Sequence, residues 1–158
     1  MANYDTVDAD FTWDGDYTVG QDGDLGDTAD DYIRSLVNEI RDLVKSDFGD
    51  WQKDPSYAGD LTDFNGEPNT RETGKRIEDR VKSRITAAQI VTAQDLFVKV
   101  TPVHVNQVLI TIRVQAVATS RNSLKVGEPI VVALVYDSTE HSIFFLPPVQ
   151  TNKARLLR

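Results

Sequence analysis

The residues that could do chemistry begin with a run of carboxylates near the N-terminus. Asp10, Thr12, Asp14, Gly15 and Gln21 fall at positions 1, 3, 5, 6 and 12 of a calcium-loop spacing, and oxygen ligands of that kind suit a hard cation. The pattern fails at two of its defining positions. Position 3 calls for Asp or Asn and position 12 for a bidentate Glu, and no helix-forming segment precedes Asp10, so calcium binding is not expected. The two histidines, His104 and His141, both fall at expected turns with no second ligand at metal spacing, and a solvated imidazole is the reading for each. The chain has no cysteine. Disulfides and thiolate metal sites are thereby excluded, and an intracellular setting is expected. There is no nucleophile elbow, phosphate loop or zinc-binding helix motif. Two-carboxylate hydrolysis stays open at this stage, because spacing along a sequence does not set the separation of carboxylates in space. No catalytic, cofactor-binding or metal-binding residue is assigned.

A second set of charged residues has helical spacing. Arg76, Arg80 and Arg84 recur every four residues and form one basic ridge, and Glu78 stands four residues before Lys82. The ridge reads either as a solvated helix face or as a contact surface for an acidic partner, since Arg is enriched at interfaces. Arg113, on the polar side of a strand, is a further candidate for partner contact.

The net charge of −8 is unevenly placed. Residues 1–31 carry ten aspartates and neither Lys nor Arg, whereas the rest of the chain holds 15 acidic and 17 basic residues. A polyanionic arm is repelled by phosphate, which argues against direct nucleic-acid binding through this part of the chain. Phe11, Trp13 and Tyr17 stand among the aspartates. By composition the segment is not expected to fold alone; it reads either as a flexible solvated tail or as an arm that orders on a partner with those rings as anchors. At the other end Lys153, Arg155 and Arg158 form a short basic tail. The N-terminus lacks a basic region followed by an apolar run, and no apolar segment approaches the roughly 20 residues of a membrane span. Neither export by that route nor a membrane partner is expected.

These groups need elements to position them, and 158 residues suffice for one domain. Ile33, Leu36, Val37, Ile40, Leu43 and Val44 mark one apolar face of a first helix, with Thr28 and Asp31 in a capping-box relation and an end near Ser46. A long connection over residues 48–68 carries Trp51, Tyr57, Leu61 and Phe64, which are expected to pack back on the domain. A second helix opens at Asn69-Thr70-Arg71-Glu72, a capping-box spacing, and shows Ile77, Val81 and Ile85 as a narrow apolar stripe. Period-two alternation over residues 96–117, broken at His104-Val105-Asn106, predicts a β-hairpin. The near-continuous apolar run over residues 130–136 predicts a strand covered on both sides. Ile143-Phe144-Phe145-Leu146 predicts a short strand ended by Pro147-Pro148. The expected fold class is α+β, two N-terminal helices on a mostly antiparallel sheet. Its expected divisions are an acidic arm at 1–26, a domain at 27–149 and a basic tail at 150–158.

Several of these stretches, in this order, resemble the small baseplate wedge protein of contractile phage tails. That family is also called the sheath initiator, carries an old lysozyme-like label and has a counterpart in type VI secretion baseplates. The matching features are the helix end and turn Asp47-Phe48-Gly49-Asp50-Trp51, the loop Pro55-Ser56-Tyr57-Ala58-Gly59-Asp60-Leu61, and the charged helix opening with Asn69-Thr70. They continue with the strand over residues 96–103 and its partner Leu109-Ile110-Thr111-Ile112-Arg113-Val114, so the match spans about residues 28–118. The resemblance implies a noncatalytic component that joins the wedge to the first sheath ring and initiates the sheath by accepting strands from sheath chains. It also implies wedge and hub proteins and the sheath protein as partners, six copies per baseplate, and location in the virion tail after assembly in the host cytoplasm. A peptidoglycan hydrolase and a free-standing adaptor domain are the alternatives. One departure stands out: where the family carries a Glu-Pro-Arg tripeptide that helps fasten it to the wedge helical bundle, this chain reads Thr86-Ala87-Ala88-Gln89-Ile90.

Overall fold

In a computed structural model, the described residues are 32–115, 129–140 and 142–146, with side chains described from residue 35 onward. The acidic arm, the Thr28 capping box, the Ile33 side chain, His141 and the basic tail lie outside them. Two helices, α1 (Tyr32–Lys45) and α2 (Arg71–Ala87), cover one face of a four-stranded sheet. Its strands are β1 (Leu96–His104), β2 (Gln107–Gln115), β3 (Pro129–Asp137) and β4 (Ser142–Phe145). They pair in chain order and every pairing is antiparallel, so the domain is α+β as expected.

The apolar periods account for the layers. Leu36, Ile40, Leu43 and Val44 of α1 and Ile77, Val81 and Ile85 of α2 are buried against the inward side chains of the strands. Those inward residues are Leu96, Val98 and Val100 on β1, Val108, Ile110, Ile112 and Val114 on β2, and Ile130, Val132, Leu134 and Tyr136 on β3. Burying an Ile or Leu of this kind contributes about 1.5–3 kcal/mol each before conformational entropy is charged against it.

Three local readings are corrected. The β3 run is not covered on both sides: its burial alternates, and Val131 is exposed while Ala133 and Val135 are half-buried. Only one helical layer is present among the described residues, so the apolar composition of β3 leaves an apolar outer surface rather than a second core. The α2 cap is Thr70, whose hydroxyl accepts the Thr73 amide at 3.2 Å. Asn69 donates instead to the carbonyls of His104 at 2.6 Å and Gln107 at 3.2 Å, fastening the hairpin end to the helix start. Glu78 pairs with Lys75 at 3.1 Å rather than with Lys82.

The 48–68 connection is ordered by its own chemistry. Tyr57 donates from its hydroxyl to the Glu39 carbonyl, and the Trp51 indole N–H donates to Ser46 Oγ, with the two rings edge to face. Leu61 and Phe64 are buried in a 3-10 turn (Leu61–Phe64), whereas Phe48 is 72% exposed and Trp51, expected to pack back, stays 45% exposed. Gly59 passes so close to α1 that a Cβ there would lie 2.7 Å from the Val44 carbonyl oxygen. Its amide donates to the Ser46 carbonyl at 2.9 Å, satisfying an acceptor at the helix end.

Candidate functional site

The basic ridge has an internal occupant. The 3-10 turn and its flanks run alongside α2, and each arginine meets a carboxylate of that segment. Arg76 donates from one guanidinium nitrogen to both Glu67 oxygens at 2.9 and 2.7 Å, and Arg80 to Asp63 at 2.8 Å. Arg84 donates to Asp60. Arg76 and Arg80 also lie over the Phe64 ring at 5.3 and 5.6 Å from its centroid. The ridge thus clamps the loop onto α2, and its charges are matched within the chain. The clamp turns on Asp60, nearly buried and left-handed at φ 51°, whose second oxygen accepts the Phe48 amide at 2.8 Å. Helical spacing alone revealed the arginines; their acidic partners were invisible because they come from an irregular segment.

The second assembly is the sheet. The Gln115 amide donates to the Asp95 carbonyl, just beyond the pair Leu96 and Val114. In antiparallel geometry the hydrogen-bonded pairs alternate from there, so Phe97, Lys99 and Thr101 point their amides into β2. Leu96, Val98 and Val100 point theirs away from it. Those outward amides have no backbone partner among the described residues. Pro102 falls on the outward series, where its missing N–H costs the ladder nothing, and the register shifts between it and His104. The proline and the register shift therefore blunt the hairpin tip, while residues 96–100 keep a regular ladder with Lys99 as its one charged edge residue. The opposite edge, β4, has four residues. β2 is central, paired on both sides by β1 and β3.

The outer face of the sheet carries three cross-strand rows: Phe97, Arg113 and Val131; Lys99, Thr111 and Ala133; Thr101, Leu109, Val135 and Phe144. Leu146 joins the second row, its amide donating to the Ala133 carbonyl at 2.8 Å. Phe97 is 60% exposed, Val131 46%, Phe144 55% and Leu146 41%. Neither Lys99 nor Arg113 has an ion-pair partner among the described residues. Arg113 is thus on an exposed face, remote in sequence order and in role from the α2 arginines. Phe11, Trp13 and Tyr17 lie outside the described residues.

At the hairpin end of the sheet Asp137 accepts from Gln107 Nε2 at 2.7 Å and from the amides of Thr139 and Glu140. The Gln107 hydrogen bond and then the two amides hold its carboxyl below the usual carboxylate range. Tyr136 is buried with its hydroxyl against the Leu61 carbonyl and the Asn65 side-chain oxygen. Burial first, then the charges of Asp47, Asp137 and Glu67, push its phenol up to about 12. Both are structural positions, one in the turn and one in the core. His104 is exposed, and no group of three or more potential metal ligands occurs among the described residues. No helix among them is long and apolar enough to cross a membrane. Set against known protein families, curated proteins and solved structures, the chain matches none.

Proposed function

We propose that this chain is a noncatalytic structural component of a contractile tail baseplate, which links the wedge to the first sheath ring and initiates the sheath by accepting a strand along β1. The observation that carries the reading is the outward amide series at Leu96, Val98 and Val100, a ladder with no neighbour among the described residues. An incoming strand there would take its affinity from backbone hydrogen bonds and its register from side-chain alternation. The resemblance of residues 28–118 to the sheath-initiator family supports the same reading and supplies the partners: wedge and hub proteins on one side, sheath protein on the other. The loop clamped by Arg76, Arg80 and Arg84 gives the body a rigid support for that edge. Attachment to the wedge bundle would use a surface other than the family's Glu-Pro-Arg tripeptide, because this chain carries Thr86-Ala87-Ala88-Gln89-Ile90 in its place.

Two measurements test the reading together. The protein should co-purify with polymeric tails and sit at their baseplate end in images. A cell-wall suspension treated with the purified protein should keep its turbidity. Clearing that is abolished when Glu39, Glu67, Glu72, Glu78, Glu128 or Glu140 is replaced by Gln would establish a hydrolase and overturn the structural role.

A further inference from the structure

We propose that the chain's own acidic arm, through residues 10–17, covers the open outer face of the sheet. Phe97, Val131, Phe144 and Leu146 expose apolar surface on one face, with Leu109, Ala133 and Val135 half-buried between them. Contiguous apolar surface of this kind marks a contact site. Within it stand two cations, Lys99 and Arg113, that no described carboxylate neutralises, in contrast to the three arginines of α2. Of the described carboxylates at its margins, Asp95 is engaged by the Thr92 hydroxyl and Asp137 by Gln107 and the following turn. The face therefore asks for an occupant that is apolar on one side and negative on the other.

Residues 10–17, Asp10-Phe11-Thr12-Trp13-Asp14-Gly15-Asp16-Tyr17, have that composition in an extended conformation. Phe11, Trp13 and Tyr17 then share one side, while Asp10, Asp14 and Asp16 share the other. With the rings laid on the Val131 and Phe144 region, the stems of Lys99 and Arg113 would lie beside the segment and raise their charged ends toward the aspartates. The tether is long enough. Fourteen residues lie between Tyr17 and Tyr32, an extended reach of about 50 Å, whereas a helix layer about 10 Å across on a sheet is a much shorter path. Cis docking also carries no translational entropy cost, unlike docking of a separate chain.

The absence of cysteine makes the test direct. A Thr12→Cys chain labelled with a nitroxide, in full-length isotope-labelled protein, should lose most of the amide signal intensity of Phe97, Arg113, Val131 and Phe144 while α2 is spared. Replacing Phe11, Trp13 and Tyr17 together by Ala should restore those signals, and added salt should restore them in part. The proposal is overturned by weak broadening spread evenly over the domain, which denotes a free arm. It is equally overturned if the loss appears when spin-labelled, unenriched chain is mixed with enriched, unlabelled chain, because the arm would then lie on a second copy.

Discussion

Asp60 and Arg84 meet carboxylate to guanidinium across the seam between the 48–68 connection and α2, with the carboxylate almost wholly removed from water. The same carboxylate accepts the Phe48 amide just beyond α1, and the Asp60 amide donates to the Ser46 carbonyl. One side chain thereby joins the end of the first helix, the irregular connection and the second helix, and its left-handed backbone is what turns both oxygens toward their donors.

Replacing Asp60 by Ala should cost about 2–3 kcal/mol in urea unfolding, the usual scale for losing charge-assisted hydrogen bonds whose donor is only half-buried. Asp60→Asn should cost less, because an amide oxygen can still accept from Phe48 and Asn tolerates the left-handed conformation. An equal loss in the Asn variant would show that the Arg84 pairing, not the helix-end closure, dominates.

Gly59→Ala should destabilise by about 2–3 kcal/mol, because the added carbon meets backbone oxygens of Val44 and Leu43 at 2.7 and 2.9 Å that cannot rotate away. Gly66→Ala is the control, with φ 76° and open space around the added carbon. It should cost about 1 kcal/mol from backbone strain alone. Gly59 itself has no left-handed backbone, so a Gly59→Ala loss no larger than that of Gly66→Ala would contradict the close-approach argument.

Stability should depend on pH at both ends through neighbouring residues. The Asp137 carboxyl is depressed in the fold, so its contribution is present above the ordinary carboxylate range and is lost as pH falls through the folded value. The advantage of wild type over Asp137→Ala should therefore shrink in acid. The Tyr136 phenol, raised to about 12, contributes the opposite sign: nothing is lost below about pH 10, and stability falls between there and about 12 as unfolding releases a proton. At about 1.4 kcal/mol per unit, that loss amounts to no more than about 3 kcal/mol. Tyr136→Phe should unfold with a flatter alkaline slope than wild type, and parallel slopes would contradict the burial argument.

The elements were legible because their apolar periods are clean. Ile40 and Leu43, Ile77 and Val81, and Ile110 and Ile112 each announce the face they bury, and α1 ends at Lys45 beside the expected Ser46. The β3 run misled because Val131, Ala133 and Val135 are apolar on a face that no helix of the described residues covers; composition does not say which layers exist. The α2 cap was displaced by one residue, since both Asn69 and Thr70 are cap formers and only the hairpin's carbonyls decide that Asn69 is used elsewhere. The arginine ridge was visible from its spacing. Its pairing with Glu67, Asp63 and Asp60 was not, because it depends on the path of an irregular segment.

The most direct test of strand acceptance at β1 is a proline at Val98, whose amide points outward and bonds no described backbone group. Proline there removes a donor from the edge without removing a rung between β1 and β2, whereas Lys99→Pro removes an internal rung and should unfold the domain. The account predicts that Val98→Pro melts as a folded domain at a somewhat lower temperature and that baseplates carrying it grow no sheath. Sheaths of normal length imaged on baseplates that carry the folded Val98→Pro protein would contradict it.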